Sequence, residues 1–474
     1  MCATQSNLQA ELKKSPMFNL SLSSKELFHS NMLAWIAEDA DTEELFVEIL
    51  KLFGVEEAKA FAENIRNGEY MVLREYKNFD LCICEKIKTD DTEEGYKEGR
   101  ILLVLENKFK SIPYKAQLLK YQGEVDKLNI EVLKVLIRSK GVKQIRTKNL
   151  EPSEQLEYLE QLRKENNINE ITPHFVLLSL AENIYEFEVN ENKFKVGGQT
   201  WHYVSYQSYA NTLLDNQSRV LGNQSRDFKA DVIKDYANYI KEFSSYLNQK
   251  LPQSIAGEIW TKTLAPNDDL KPIRMDDIWQ KLIANLILIE LCEKGIEEKL
   301  VISPNQYSVG TKTEEFVELQ DKSVVHVGAG LSRASGLVEI KINIGDACVF
   351  GVQIQGGLYK RLLETTKGVL PTNTTDQRDY YTSKLNVPPD MFRLKETDVW
   401  NFTPNIFDNS QPLYPKWKNT KAGLQGFGGY DNTFIAQWKK ISKDATVGDV
   451  IAAMIEDCME VRKLLSKVNG NTTP

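Results

Sequence analysis

The start of the chain predicts a polar segment followed by two helices. Residues 1–22 are mostly polar, and we expect them to be only loosely attached to the fold. Apolar residues recur at helical spacing over residues 23–38, which predicts an amphipathic helix. Ser23 and Glu26 have the spacing of a capping box, in which each side chain accepts a backbone N–H at the helix start. A second helix is predicted over residues 42–53.

Strand patterns dominate the next part of the chain. Residues 101–108 are apolar until their last three positions, which predicts a central strand with both faces buried. Residues 86–100 are charged and predict a turn, whereas residues 139–170 have few aliphatic side chains and predict an insertion. The other elements predicted here are strands over residues 70–76, 79–84, 132–137 and 175–180, and helices over residues 114–128 and 228–250.

A boundary near Pro252 divides the chain into an α/β domain, residues 23–250, and a second domain, residues 251–474, whose role the sequence does not reveal. The glycine-rich residues 328–336 precede a strand rather than a helix, so they fit a flexible turn better than a phosphate-binding loop. Strands and helices alternate irregularly here, which predicts an α+β architecture. The elements predicted are helices over residues 276–300 and 447–465 and strands over residues 324–327, 336–344 and 347–355.

Composition limits the classes of function without choosing among them. The chain has 474 residues, of which 42% are hydrophobic and 27% charged, and these ordinary globular values exclude a disordered or fibrous protein. No apolar run approaches the roughly 20 residues that span a bilayer, and the N-terminus lacks an apolar signal core, so we expect a cytoplasmic protein without membrane contact. Six cysteines without a CxxC pair indicate neither a disulfide framework nor a zinc site. A net charge of −8 argues against binding nucleic acid through bulk charge but is compatible with a local basic groove.

The candidate chemistry lies at the ends of two predicted strands. Asp80 stands at the start of one strand, and Glu106 and Lys108 end the most apolar one, where their spacing directs both side chains to the same side. Carboxylates with a lysine beside them suit a hard cation such as magnesium, which prefers oxygen ligands. Such an ion lowers the pKa of a bound water and neutralises charge on a phosphate, while the lysine holds the attacking water. The alternative is that these side chains are polar only because the strands end in solvent.

The helix predicted next adds a second polar group of residues. Gln117 and Tyr121 are four residues apart and therefore share one helical face, which Glu124 extends. An ordinary amphipathic helix with a polar side is the alternative. The order along the chain, a strand Asp, then Glu-x-Lys, then Gln-x-x-x-Tyr, favours a functional set over unrelated surface residues.

These motifs resemble the PD-(D/E)XK nuclease superfamily. Residues 26–35 also resemble the opening helix of one uncharacterised bacterial group in that superfamily, and the resemblance covers roughly residues 20–215. Asn78-Phe79-Asp80 departs from the usual Pro-Asp at a position that varies widely among the members. The residues that carry the resemblance are Asp80, the Glu106-Asn107-Lys108 run, and Gln117 with Tyr121, the last two being similar to the RecB-like branch.

The resemblance implies a restriction-endonuclease-like α/β core, in which a mixed central sheet is flanked by helices. It implies that Asp80, Glu106 and the backbone carbonyl of Asn107 hold the metal, Mg²⁺ with Mn²⁺ as the alternative. Lys108 would be the catalytic lysine.

The resemblance also assigns supporting roles to residues on the helices. Gln117 and Tyr121 would support the site or contact the phosphate backbone of the substrate. Glu26 would add an acidic group from the first helix, unless it only caps Ser23. His29 shares a helical face with Glu26, and a polar contact inside the helix packing is its expected role.

We therefore expect a magnesium-dependent nuclease that hydrolyses phosphodiester bonds of nucleic acid, most of all DNA. The resemblance alone suggests a bacterial or phage setting and a role in defence against foreign DNA. A second copy of the chain and a defence-system protein are the protein partners left open. Two other functions also stay open: a catalytically silent nucleic-acid-binding protein on the same fold, and a regulatory protein whose role lies in residues 251–474.

Overall fold

The structure of the protein is a computed structural model. It describes residues 15–88, 95–109, 111–113, 115–142, 145, 152–168, 172–181, 189–220, 228–263, 267–271, 275–297, 317–318, 324–332, 335–345, 348–355, 357–365, 383, 406–408, 428–429 and 434–468. The described residues up to Asn248 form one compact unit, and those from Gln249 onward form a second. This division falls next to the domain boundary that the sequence predicts.

The described strands of the first unit form one mixed sheet in the order β1-β2-β3-β4-β6-β5. The strands are β1 (Tyr70–Arg74), β2 (Leu81–Lys88), β3 (Tyr96–Lys108), β4 (His174–Ser179), β5 (Lys193–Val196) and β6 (Gln199–Ser205). The pairs β1–β2, β2–β3 and β5–β6 are antiparallel, whereas β3, β4 and β6 run parallel. Lys108 pairs with Ser179, and Ser179 pairs with Ser205, so the three parallel strands end together at one edge of the sheet.

Helices flank this sheet, which confirms the α/β fold class with a mixed central sheet. The described helices of the unit are α1 (Pro16–Glu38), α2 (Glu43–Leu52), α3 (Ala58–Arg66), α4 (Lys115–Ser139), α5 (Pro152–Glu165), α6 (Tyr206–Asn216) and α7 (Phe228–Lys250). α1 and α4 both pack against β3, the strand whose apolar run is buried from Ile101 onward. The strand that carries the Glu-x-Lys pattern is therefore the centre of the unit.

The helix predicted over residues 23–38 begins at Pro16, so the prediction that it starts at Ser23 is wrong. Ser15 is the N-cap, because its hydroxyl accepts the N–H of Phe18, and proline is favoured at the first helical position. The Phe18 ring is buried against Tyr239, at 5.4 Å between ring centroids. The predicted polar segment therefore extends at most to residue 15, and residues 1–14 lie outside the described part of the chain. Ser23 stands inside the helix rather than at its cap.

Residues 132–137 are helical, so the strand predicted there is wrong. They form the last turns of α4, where Leu133 and Ile137 are four residues apart and lie on the same face. Both side chains are buried together with Leu159 of α5. The predicted turn at residues 86–100 is also shorter than expected, because β2 and β3 continue into it and Arg100 pairs with Glu85 at 2.6 Å.

The second unit confirms the α+β prediction. Its described strands form an antiparallel sheet in the order β12-β13-β11-β10-β9-β8-β7, and helices α9 and α10 pack on one face of it. The described elements are α8 (Trp260–Thr263), α9 (Asp276–Glu297), β7 (Val317–Glu318), β8 (Val324–Ser332), β9 (Ser335–Gly345), β10 (Cys348–Gln355), β11 (Leu358–Thr365), β12 (Gly428–Gly429), β13 (Phe434–Lys440) and α10 (Val447–Val468).

The glycine-rich run in this unit is not the flexible turn that the sequence predicts. Residues 328–332 belong to β8 and pair with residues 335–339 of β9, so the run is most of a hairpin. No helix in the described parts of the chain is long and apolar enough to cross a membrane.

Candidate active site

Asp80, Glu106 and Lys108 meet at the sheet edge where the parallel strands end. Leu81 pairs with Leu105, so Asp80, which directly precedes β2, lies beside the end of β3. The backbone N–H of Asn107 donates to Asp80 Oδ2 at 2.7 Å. At the end of the same strand, Lys108 Nζ forms an ion pair with Glu106 Oε1. The start of β2 thus contributes one carboxylate, and the end of β3 contributes a second carboxylate and an ammonium group.

The Glu106 carboxylate is buried and only partly neutralised. Its side chain is 1% exposed, and Oε2 has no hydrogen-bond partner among the described residues. Burial raises the pKa of Glu106 to about 8, and the charge of Asp80 adds to the rise, while Lys108 opposes it. A carboxylate in this position is short of positive charge, and it would be stabilised by a further cation.

The helix face predicted from the sequence contacts the same carboxylate. Gln117 Nε2 donates to Glu106 Oε1 and to the Tyr121 hydroxyl, both at 2.7 Å. The Tyr121 ring is buried and meets Phe79 edge to face, with 5.3 Å between ring centroids. Burial raises the pKa of Tyr121 well above its usual value, and the Glu106 charge adds to this, so the phenol stays protonated and able to donate. α4 therefore contacts the Glu106 carboxylate through Gln117 and the residue before Asp80 through Tyr121.

The comparisons with known proteins agree with this geometry. The family model described as the PD-(D/E)XK nuclease superfamily matches residues 17–238. This part of the chain belongs to that superfamily. No curated protein and no solved structure matches the chain. The finer likeness to the RecB-like branch rests on Gln117 and Tyr121 and stays a prediction.

The donor set of this PD-(D/E)XK site fits a hard divalent cation. The described ranges hold no group of three or more His, Cys, Asp and Glu side chains that could bind a metal ion among themselves. Two carboxylates at a sheet edge suit a hard divalent cation, because such ions bind through one or two carboxylates and keep several waters. The buried Oε2 of Glu106, left without a protein donor, is the atom that such a cation would satisfy.

Glu26 and Glu124 have no described contact with the buried carboxylate. Glu26 is part of α1, but its side chain lies outside what the structure describes, so its acidic role stays a prediction. Glu124 is one turn beyond Tyr121 and pairs with Lys127 at 2.9 Å rather than with the buried carboxylate. The acidic centre among the described side chains is therefore formed by Asp80 and Glu106.

His29 has the polar contact inside the helix packing that the sequence predicts. Its ring is buried, and Nδ1 lies 3.0 Å from the Tyr236 hydroxyl of α7. The Phe109 ring, one residue beyond β3, lies against it at 3.9 Å between centroids. His29 thus fixes α1 against the strand that carries Glu106.

Sequence reasoning missed the residues that hold Asn107, the variable position of the Glu-x-Lys pattern. The Asn107 side chain is fully buried, its Oδ1 accepts from the Tyr206 hydroxyl, and its Nδ2 donates to Ser30 Oγ at 3.2 Å. Tyr206 directly follows β6 and therefore stands at the same sheet edge as Lys108. Its position after a later core strand is the signal that would have pointed to it.

Proposed function

We propose that the chain is a magnesium-dependent nuclease that hydrolyses phosphodiester bonds of DNA. Membership of the PD-(D/E)XK superfamily supports nuclease activity. The observation that carries the proposal for this chain is the convergence on Glu106, whose buried carboxylate contacts Lys108 and Gln117 and lies within the field of Asp80. A catalytically silent descendant would have no reason to retain this costly arrangement of buried charges.

The proposed roles follow from where each side chain lies. Asp80, Glu106 and the backbone carbonyl of Asn107 would hold Mg²⁺, with Mn²⁺ as the alternative. When bound, the ion supplies positive charge for the phosphate and lowers the pKa of a coordinated water. Lys108 would hold the attacking water and offset the negative charge that develops on the phosphate. Gln117 would keep the Glu106 carboxylate in position through its 2.7 Å hydrogen bond.

Exposed lysines on α4 and in the loop before Asp80 support a polyanionic substrate. Lys120 on α4 and Lys77 in the loop before Asp80 are both exposed, and both lower the pKa of Glu124, after the larger effect of Lys127. The loop and the helix are also joined by the contact between the Phe79 and Tyr121 rings. Phosphate groups of a nucleic-acid strand would meet these ammonium groups on the way to the site.

The proposed setting is the cytoplasm of a prokaryotic cell, with destruction of foreign DNA as the role. Both follow from the resemblance to the bacterial group and from the substrate proposed. A second copy of the chain or a defence-system protein is the protein partner we propose to test for. Residues 251–474 would then serve recognition or partner binding rather than the cleavage step, because the acidic centre is formed by residues of the first unit.

The decisive experiment is incubation of the purified full chain with three substrates: circular duplex DNA, circular single-stranded DNA and RNA. Each is tested with Mg²⁺, with Mn²⁺ and with chelator. We expect Mg²⁺-dependent cleavage of DNA that is absent from Lys108→Ala and retained by Lys59→Ala, whose side chain lies exposed on α3. Cleavage of circles shows an endonuclease. Absence of metal-dependent cleavage on all three substrates would contradict the proposal, and cleavage of RNA alone would correct the substrate.

A further inference from the structure

Asn107 connects the two carboxylate-bearing segments of the site. Its N–H lies beyond Leu105, the last residue of β3 that pairs with β2, so no strand partner is available on that side. The Asp80 carboxylate takes the place of the strand and accepts this N–H at 2.7 Å. The orientation of Asp80 therefore depends on the orientation of the Asn107 peptide.

The Asn107 side chain is in turn fixed from two other elements. Its Oδ1 accepts from Tyr206 at the start of α6, and its Nδ2 donates to Ser30 of α1 at 3.2 Å. Asn107 and Ser30 are both buried, so neither contact is exchanged with bulk water. A residue anchored at its amide oxygen, its amide nitrogen and its backbone N–H has no freedom to rotate.

The Tyr206 side chain, which contacts Asn107, is itself fixed by its packing. Its ring is fully buried and lies edge to face against Phe109 and His29, at 4.9 and 5.4 Å between centroids. Tyr206 also follows directly on Ser205, the last residue of a strand hydrogen-bonded in register to β4. The hydroxyl is thus presented to Asn107 by the rigid end of the sheet.

We propose that Tyr206 is a positioning residue of the metal site, which acts through Asn107 to orient the Asp80 carboxylate. The inference rests on the proposed function, because it assigns Asp80 to the metal. Without its hydroxyl, the Asn107 side chain keeps only Ser30 as an anchor, and the peptide whose N–H holds Asp80 is fixed less tightly, by its ladder pairing with Leu178 of β4.

The matched control stands one helical turn away. Tyr209 is also fully buried in α6, but its hydroxyl has no hydrogen-bond partner within the described parts of the chain. Tyr206→Phe and Tyr209→Phe therefore remove the same atom from the same helix, and only the first breaks a contact to the site. A general effect of deleting a buried hydroxyl would appear in both variants.

The test is calorimetric titration of the metal-free full chain with Mg²⁺ or Mn²⁺ alone, without substrate. We expect Tyr206→Phe to bind the ion about 10-fold more weakly than the wild type, as is typical when an outer partner of a metal ligand is lost. Tyr209→Phe should bind as the wild type does. In a double-mutant cycle, Tyr206→Phe should add nothing to the loss caused by Asn107→Ala, because both changes break one chain of contacts.

Other results of the titration would overturn the inference or the proposed function. Unchanged metal affinity in Tyr206→Phe, whatever its thermal midpoint, would show that Tyr206 is only structural and overturn the inference. If Tyr206→Phe fails to fold, Ser30→Ala removes the other anchor of Asn107, and the same loss of affinity is required of it. A wild type that binds the ion but cleaves nothing contradicts the proposed function alone, since the calorimetric comparison still stands. A wild type that binds no ion overturns both.

Discussion

At Glu106 a carboxylate is held where its charge is disfavoured, and this makes stability depend on pH. Its pKa is raised by burial from 4.5 to about 8. Between these values the folded chain binds more protons at this carboxyl than the unfolded chain does, so the contribution of Glu106 to the free energy of unfolding falls as the pH rises. Glu106→Gln, which carries no charge, should therefore become more stable relative to the wild type as the pH rises from 4.5 to about 8.

The measurement is the thermal midpoint of both proteins across this pH range, in chelator. Glu124→Gln is the control, because the Lys127 ammonium lowers the pKa of that exposed carboxyl and gives no gain in the same direction. Added Mg²⁺ should raise the midpoint of the wild type more than that of Glu106→Gln. A difference between the two proteins that stays constant with pH would mean that Glu106 is ionised with no cost in the folded chain.

Gln117 and Tyr121 test whether the helix contributes to the chemistry or only to the packing. Gln117→Ala removes the hydrogen bonds to Glu106 and Tyr121, and we expect cleavage to fall about 10–100-fold, less than for Asp80→Ala. Tyr121→Phe keeps the contact with the Phe79 ring and loses only the hydroxyl. Rate and thermal midpoint are measured on the same samples. A Tyr121→Phe protein with a lower midpoint and an unchanged rate would remove Tyr121 from the site.

At the scale of elements, a long and regular hydrophobic pattern predicts its helix or strand correctly. A short pattern fits both, and the contacts with neighbouring elements decide between them. The apolar run that ends at Lys108 predicts the central strand, and residues 228–250 form the helix predicted there. The prediction of a strand over residues 132–137 is wrong because a short apolar run fits a strand or a helix equally well. Burial of Leu133 and Ile137 against α5 decides the matter, and that contact is not written in the local sequence.

The same limit applies to the site. The predicted site residues come from elements that follow one another in the chain, so the order of their motifs is visible in the sequence. These residues are Asp80, Glu106, Lys108, Gln117 and Tyr121. The contact of Tyr206 with Asn107 joins residues separated by 99 positions. It depends on β3, β4 and β6 being adjacent and parallel, which no local pattern states.

The exposed lysines in the loop before Asp80 and on α4 lead to a prediction about how the protein binds nucleic acid. If Lys77 and Lys120 each contact a phosphate, replacing either with alanine should lower the slope of log affinity against log salt by about 0.7–0.9. Binding is measured by fluorescence anisotropy on DNA in chelator, so that no cleavage occurs. Lys59→Ala on α3 should leave the slope unchanged. Equal slopes in all variants would show that the DNA does not pass over Lys77 and Lys120.

At the scale of the whole molecule, the second unit has its own core and its own buried ion pair. Arg361 of β11 pairs with Asp457 of α10, and the Tyr359 hydroxyl donates to the same carboxylate at 2.7 Å. Removing one partner of a buried pair typically costs about 3–5 kcal/mol, because the other charge is left unpaired. Arg361→Met should therefore destabilise the second unit strongly, whereas Lys463→Ala, which breaks an exposed pair on the same helix, should not.

Calorimetric unfolding of the full chain separates the effects on the two units. We expect Arg361→Met to lower the unfolding temperature of one transition and to leave the transition of the first unit in place. Metal added to the protein should shift only the latter. A single transition that moves as a whole would show that the two units unfold cooperatively.

The parallel arrangement of β3, β4 and β6 also sets the order of events when the chain folds. The β2–β3 hairpin brings Asp80 beside Glu106 through local contacts, but the hydroxyl that fixes Asn107 arrives only after β6 has been added to the sheet. Contacts between residues so far apart in sequence form late, because closing the long loop costs entropy before any contact repays it. A nascent chain whose Tyr206 has not yet left the ribosome would thus carry Asp80 and Glu106 without the contact that fixes Asn107. On the roles proposed above, that chain would not yet cleave nucleic acid.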